Sequence, residues 1–184
     1  LNLDSENEGH FLVGCAGGMR VDCEFPAERR RWNGKLVSIH VSGVTGGHSG
    51  VEIQKQGANA NVVLGRVLYE LKKKADFTVV SVDGGLKDNA ITRSARAILM
   101  FAPGQEDLFM DILKEQQGII EKEYHKTDAG MSIEGFLELS KEDAESVDGV
   151  LPMTDVCGNA VITALRTFPW GVQKMSKDME GLVQ

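Results

Sequence analysis

The chain has 184 residues, 42% of them hydrophobic and 26% charged, which supplies one hydrophobic core with a soluble surface and excludes both a disordered chain and a disulfide mini-protein. The 20 Lys and Arg against 27 Asp and Glu leave a formal charge of -7, so no nucleic-acid partner is expected. The basic triplets Arg29-Arg30-Arg31 and Lys72-Lys73-Lys74 read as solvated loop or helix-end charges. No apolar run approaches the ~18 residues that span a bilayer, so no membrane partner is expected either. The cysteines Cys15, Cys23 and Cys157 form no C-x-x-C pair and fit reduced thiols in a cytoplasmic protein.

Near the start, Gly14-Cys15-Ala16-Gly17-Gly18 sets three glycines in five positions, a composition that supports a hinge, and a domain boundary is placed there. Met19, Val21, Cys23 and Phe25 then alternate with Arg20, Asp22 and Glu24, which predicts a half-buried strand with Cys23 towards a core. Val37, Ile39 and Val41 alternate with Ser38, His40 and Ser42, a second strand that leaves His40 facing solvent or a helix. After the Gly46-Gly47-His48-Ser49-Gly50 loop, Ala60, Leu64, Val67, Leu68 and Leu71 share one helical face behind Asn59 as N-cap. A strand over 77–82, a Gly84-Gly85 turn and a strand over 95–101 follow. Beyond Pro103-Gly104 a long helix carries Phe109, Ile112, Leu113, Ile119 and Ile120 on one stripe, and Met131, Ile133, Leu137 and Leu139 alternate as a further strand. The order over 35–139 is strand, helix, strand, strand, helix, strand. That is an α+β, ferredoxin-like βαββαβ core, an antiparallel sheet with helices on one face in a two-layer sandwich. A last helix over 155–167, capped by Thr154, stops before Pro169.

Chemistry has few places to sit. Asp4, Glu6 and Glu8 would project together from an extended segment, an arrangement that suits a hard or borderline metal and equally a solvated acidic terminus. The four histidines, His10, His40, His48 and His125, form neither H-E-x-x-H nor H-x-D. His48 stands out because Gly46, Gly47 and Gly50 around it let the backbone approach a ligand while the imidazole projects. Such a ring can donate to a developing oxyanion or exchange a proton, and the alternative is an ordinary loop histidine. The glycines lack the Lys-Ser/Thr ending of a phosphate loop, and no G-x-S-x-G elbow occurs.

At these residues the sequence resembles the Xaa-His dipeptidases, a branch of the di-zinc aminopeptidase and carboxypeptidase superfamily that carries a lid, or dimerisation, domain inserted in the catalytic domain. The likeness rests on Leu1-Asn2-Leu3-Asp4-Ser5-Glu6 through Gly14 to Gly18, on Gly46-Gly47-His48-Ser49-Gly50 with Gly57-Ala58-Asn59-Ala60-Asn61, on Gly84-Gly85-Leu86-Lys87-Asp88-Asn89-Ala90-Ile91, and on Gly171-Val172 and Gly181-Leu182-Val183. The resemblance implies that residues 1–16 end a catalytic-domain strand and that 17–184 form a lid incomplete at its C-terminus. It implies that Asp4 is a zinc ligand, that His48 crosses a homodimer to stabilise the substrate's oxyanion, and that Asn89 helps hold a dipeptide substrate. Two zinc ions per complete subunit would activate the attacking water, with most ligands elsewhere, so the piece alone is expected to be inactive. Thr92, Ser94 and Trp170 depart from the family's usual proline, glutamate and asparagine. The rival expectation is a free-standing ferredoxin-like binding module without catalysis.

Overall fold

The computed structural model describes residues 8, 9, 11, 17–180 and 183. β1 (Lys35–Ser42) is the central strand of the sheet. Its β-branched Val37, Ile39 and Val41 are at most 1% exposed on one face, as period-two packing requires. β1 pairs antiparallel with β5 (Ala95–Phe101), Ile39 opposite Ala97, and with β6 (Ser132–Phe136), Ile39 opposite Gly135. β3 (Phe77–Gly84) adds antiparallel to the far side of β5, giving the order β3-β5-β1-β6. With two long helices as crossovers this is the expected ferredoxin-like core.

α1 (Ala60–Lys74) begins where expected, because the Asn59 side chain accepts a hydrogen bond from the Asn61 amide at 2.9 Å. Ala60, Val63, Leu64, Val67, Leu68 and Leu71 are buried against the sheet, and each such Val or Leu stabilises the fold by roughly 1.5–3 kcal/mol. Lys72, Lys73 and Lys74 fall in the last turn, where cations complement the exposed carbonyls. In α2 (Glu106–Tyr124) the buried stripe is Phe109, Ile112, Leu113, Gln116 and Ile120. Ile119 is 46% exposed, contrary to expectation; the spacing from Ile112 and Ile120 turns position 119 outward and Gln116 inward. α4 (Asp155–Thr167), capped by the Thr154 hydroxyl, lies along α1. The approach is so close that a Cβ on Gly65 would stand 2.7 Å from Leu165.

Two findings differ from the sequence-based picture. A short helix, α3 (Lys141–Ser146), capped by Ser140, joins the cover on the opposite face of the sheet, where Val80, Ile98 and Val147 form a second small core. Edge strand β3 is therefore buried on both faces, with Val79 in the main core and Val80 in the second, and its register with β5 shifts between Val79 and Ser81. The predicted strand over Met19 to Phe25 does not form. Met19 is 88% exposed, Val21 65%, and Cys23 lies at the surface rather than towards a core. Alternation places side chains on two faces only if a neighbouring strand takes up the amides, and among the described residues none pairs with this segment.

Candidate functional site

Three loops meet at one end of the sheet, where Val41, Ala95 and Gly84 stand side by side in the register and Ser42 faces Ser132. The first loop, residues 43–59, contains β2 (Gly47–His48), and the second contains β4 (Ala90–Ile91). These two short strands pair, His48 opposite Ala90 and Gly47 opposite Ile91, and the Ser49 amide donates to the Asn89 carbonyl at 2.9 Å. The structure thus brings His48 and Asn89 together, both exposed.

Backbone geometry around the imidazole explains the glycines. Gly46 and Gly47 have φ of +70° and +137°, which side chains rarely adopt. A Cβ on Gly46 would strike the Arg93 side chain at 2.4 Å, and one on Gly47 would strike Glu52 Oε2 at 2.5 Å. The amides of Gly50 and Val51 donate to His48 Nδ1 at 3.0 and 3.2 Å. The His48 amide donates to Glu52 Oε2 at 2.8 Å, while Lys55 Nζ donates to Oε1 at 2.5 Å. The hydrogen bond from Lys55, then that from the His48 amide, holds the Glu52 carboxyl below its ordinary range.

The third loop supplies the fastening. Asp128, 3% exposed, accepts from the Thr45 amide through Oδ1 at 2.9 Å and from the Ala58 amide through Oδ2 at 2.8 Å, so one carboxylate grips both ends of the His48 loop. Burial alone would raise its pKa, but these amides, Ala58 before Thr45, outweigh burial and lower it. Beside the loops runs an open groove of about 500 Å3 lined by Ser49, Asn59, Asn61, Leu86 and Trp170 among others. Thr92 is 9% exposed, and its carbonyl accepts from the Ala60 amide at 3.0 Å, tying the second loop to the start of α1.

Residues 33–128 match the family described as the peptidase dimerisation domain. The chain belongs to that family. Among curated proteins, this dimerisation domain is 30% identical over 169 residues to the cytosol non-specific dipeptidase of Escherichia coli (strain K12), covering 88% of this chain and 34% of the relative. Among solved structures it superposes on the aminoacylhistidine dipeptidase of Vibrio alginolyticus with a TM-score of 0.78 at 23% identity, covering 87% of this chain and 31% of that one. The second comparison establishes the fold. The chain spans about a third of the length of both proteins.

Asp4 and Glu6, and His10 with them, lie outside the described residues. Glu8 is exposed. His40 faces α3, as one branch of its expectation had it, with Nε2 2.9 Å from Asp143 Oδ2. Among the described residues no group of three or more His, Cys, Asp or Glu side chains is placed to hold a metal ion, so these residues do not fit a self-contained zinc centre. Sequence reasoning missed Glu52 and Asp128. Glu52 had a local signal, a carboxylate four residues after the loop histidine. Asp128 had none, because its partners are 83 and 70 residues away in sequence.

Proposed function

We propose that the chain is the lid and dimerisation portion, residues 17–184, of a longer zinc-dependent dipeptidase, with residues 1–16 the end of a catalytic-domain strand. Its substrates are short dipeptides ending in histidine, and its setting is the cytoplasm. The observation that carries the reading is the projecting His48 imidazole, paired through β2 and β4 with the Asn89 loop, in a chain of the peptidase dimerisation family.

In this reading two copies dock as a homodimer through the open edge of β6 and the adjoining surface of α2, where Met110 and Phe136 are 41% and 39% exposed. Such an edge invites pairing, and a two-fold partner covers it. His48 then reaches the partner's substrate and donates to the carbonyl oxygen as it gains charge, while Asn89 holds the dipeptide. Donors aimed at a developing oxyanion supply on the order of 3 kcal/mol of barrier reduction. The zinc ions belong with ligands outside the described residues, Asp4 among them, and the steps given to this chain do not pass through them. The isolated chain is accordingly inactive, and tight stoichiometric zinc binding to it would contradict the reading.

The test is turnover of dipeptides by the complete protein before and after His48→Ala. A kcat lower by about a hundredfold on dipeptides ending in histidine is expected; an unchanged rate removes His48 from the reaction. Equal kcat/KM for dipeptides with other C-terminal residues would overturn the substrate class while leaving the dipeptidase.

A further inference from the structure

We infer that the loop locks His48 in the neutral tautomer with its proton on Nε2, so that the ring serves as a hydrogen-bond donor rather than a general base, and that Glu52 is the positioning residue that keeps the lock in shape. Backbone amides can only donate. Two of them, from Gly50 and Val51, point at Nδ1. That nitrogen must therefore present its lone pair to the loop, and the single proton of the neutral ring sits on Nε2. A general base needs a lone pair facing the substrate, and here the lone pair is already used. What remains to project from the exposed ring is an N–H, the group an oxyanion requires. The role of that N–H in turnover rests on the proposed dipeptidase function; the tautomer does not.

Glu52 closes the loop on itself. Its amide donates to the His48 carbonyl at 3.0 Å and its Oε2 accepts from the His48 amide, so residues 48–52 form a ring of backbone and carboxylate bonds around the two amides aimed at Nδ1. The carboxylate occupies the space that any side chain at Gly47 would need, 2.5 Å from the position of a Cβ. Gly47→Ala therefore displaces Glu52 by a route independent of substituting Glu52 itself.

The experiment is nitrogen NMR on this chain labelled with 15N-histidine at a pH where the rings are neutral. The His48 signals are those lost in His48→Gln. The lock requires the pattern of a protonated Nε2 and an unprotonated Nδ1; a protonated Nδ1, or averaging of the two forms, overturns it. Glu52→Ala and Gly47→Ala are expected to bring in that averaging while the His40 signals, on the far side of the sheet, stay in place and report an intact fold. Glu52→Gln, which keeps an acceptor oxygen, restores the wild-type pattern. A Glu52→Ala spectrum identical to wild type overturns the positioning role. In the complete peptidase, Glu52→Ala should lower kcat about tenfold with KM little changed, and Glu52→Gln should recover most of it. If the tautomer is found but His48→Ala leaves kcat unchanged, the lock stands and the oxyanion reading falls. If the tautomer is absent, the lock falls whatever the rate does.

Discussion

Replacing Asp128 with Asn tests whether one buried carboxylate holds the His48 loop. The side chain keeps its shape, but one oxygen becomes an NH2, so either the Thr45 or the Ala58 amide then meets a donor instead of an acceptor. Each bond is charge-assisted, and losing one costs about 1.5–3 kcal/mol. For a domain of this size each kcal/mol moves the melting temperature by roughly 2–4 °C, so a cost of about 2 kcal/mol lowers it by ~6 °C. The pH dependence has a definite sign. The Asp128 carboxyl titrates below its ordinary value in the folded chain, so its stabilisation is complete above the unfolded value of about 3.9 and is lost as pH falls through the folded value. Asn does not titrate. Calorimetry should thus find a gap between wild type and Asp128→Asn at neutral pH that narrows on acidification below about pH 4, and amide exchange at Thr45 and Ala58 should quicken while that of α1 stays slow. A gap under ~1 °C, or one that persists unchanged in acid, would refute the clamp.

Gly65→Ala pushes a methyl to 2.7 Å from Leu165 backbone and Cβ atoms; overpacking of about 1–3 kcal/mol exceeds the ~1 kcal/mol gained in helix propensity, so urea unfolding should show a net loss. A gain in stability would mean that α1 and α4 are less tightly apposed. Asn59→Ala removes the cap of α1 and should cost about 1 kcal/mol in the same assay, with no change pointing to a cap satisfied by water. Met110→Glu places a carboxylate beside Phe136 in the groove between α2 and β6. In the proposed homodimer this change should shift the mass found by light scattering towards monomer, and an unaltered dimer would place the docking surface elsewhere.

The core was legible because it obeys two periods. Val37, Ile39 and Val41 follow the strand period, and Leu64, Val67, Leu68 and Leu71 the helical one, and both sets are buried as the alternation says. Asn59 and Thr154 cap the helices they precede because capping is a matter of two or three residues. Where the reading failed, a distant partner decided. Met19 to Phe25 alternates as well as β1 does, yet lacks a paired neighbour among the described residues. α3 went unseen because six residues hold too few turns to show a stripe, although Ser140 with Asp143 was a local sign of its start. At the site, the Gly46-Gly47-His48 cluster marked the loop, but two-residue β2 and β4 exist only through each other.

The convergence of the site follows from the topology rather than from any residue in the loops. β1 and β3 are both antiparallel to the β5 strand between them and so run the same way, which makes the loops leaving β1 and β3 emerge at one end of the sheet. β6, antiparallel to β1, begins at that end, so the turn that follows α2 arrives there too. The three segments then divide the work. Residues 43–59 carry the imidazole, the loop after β3 carries Asn89 and backs the β2 strand, and the turn before β6 brings Asp128 to grip the ends of the first loop. Each loop is held by a bond to another, the first to the second through β2 and β4 and the first to the third through Asp128. The sheet therefore fixes where the His48 imidazole stands, and substitutions in the loops can change what it meets without disturbing the fold beneath.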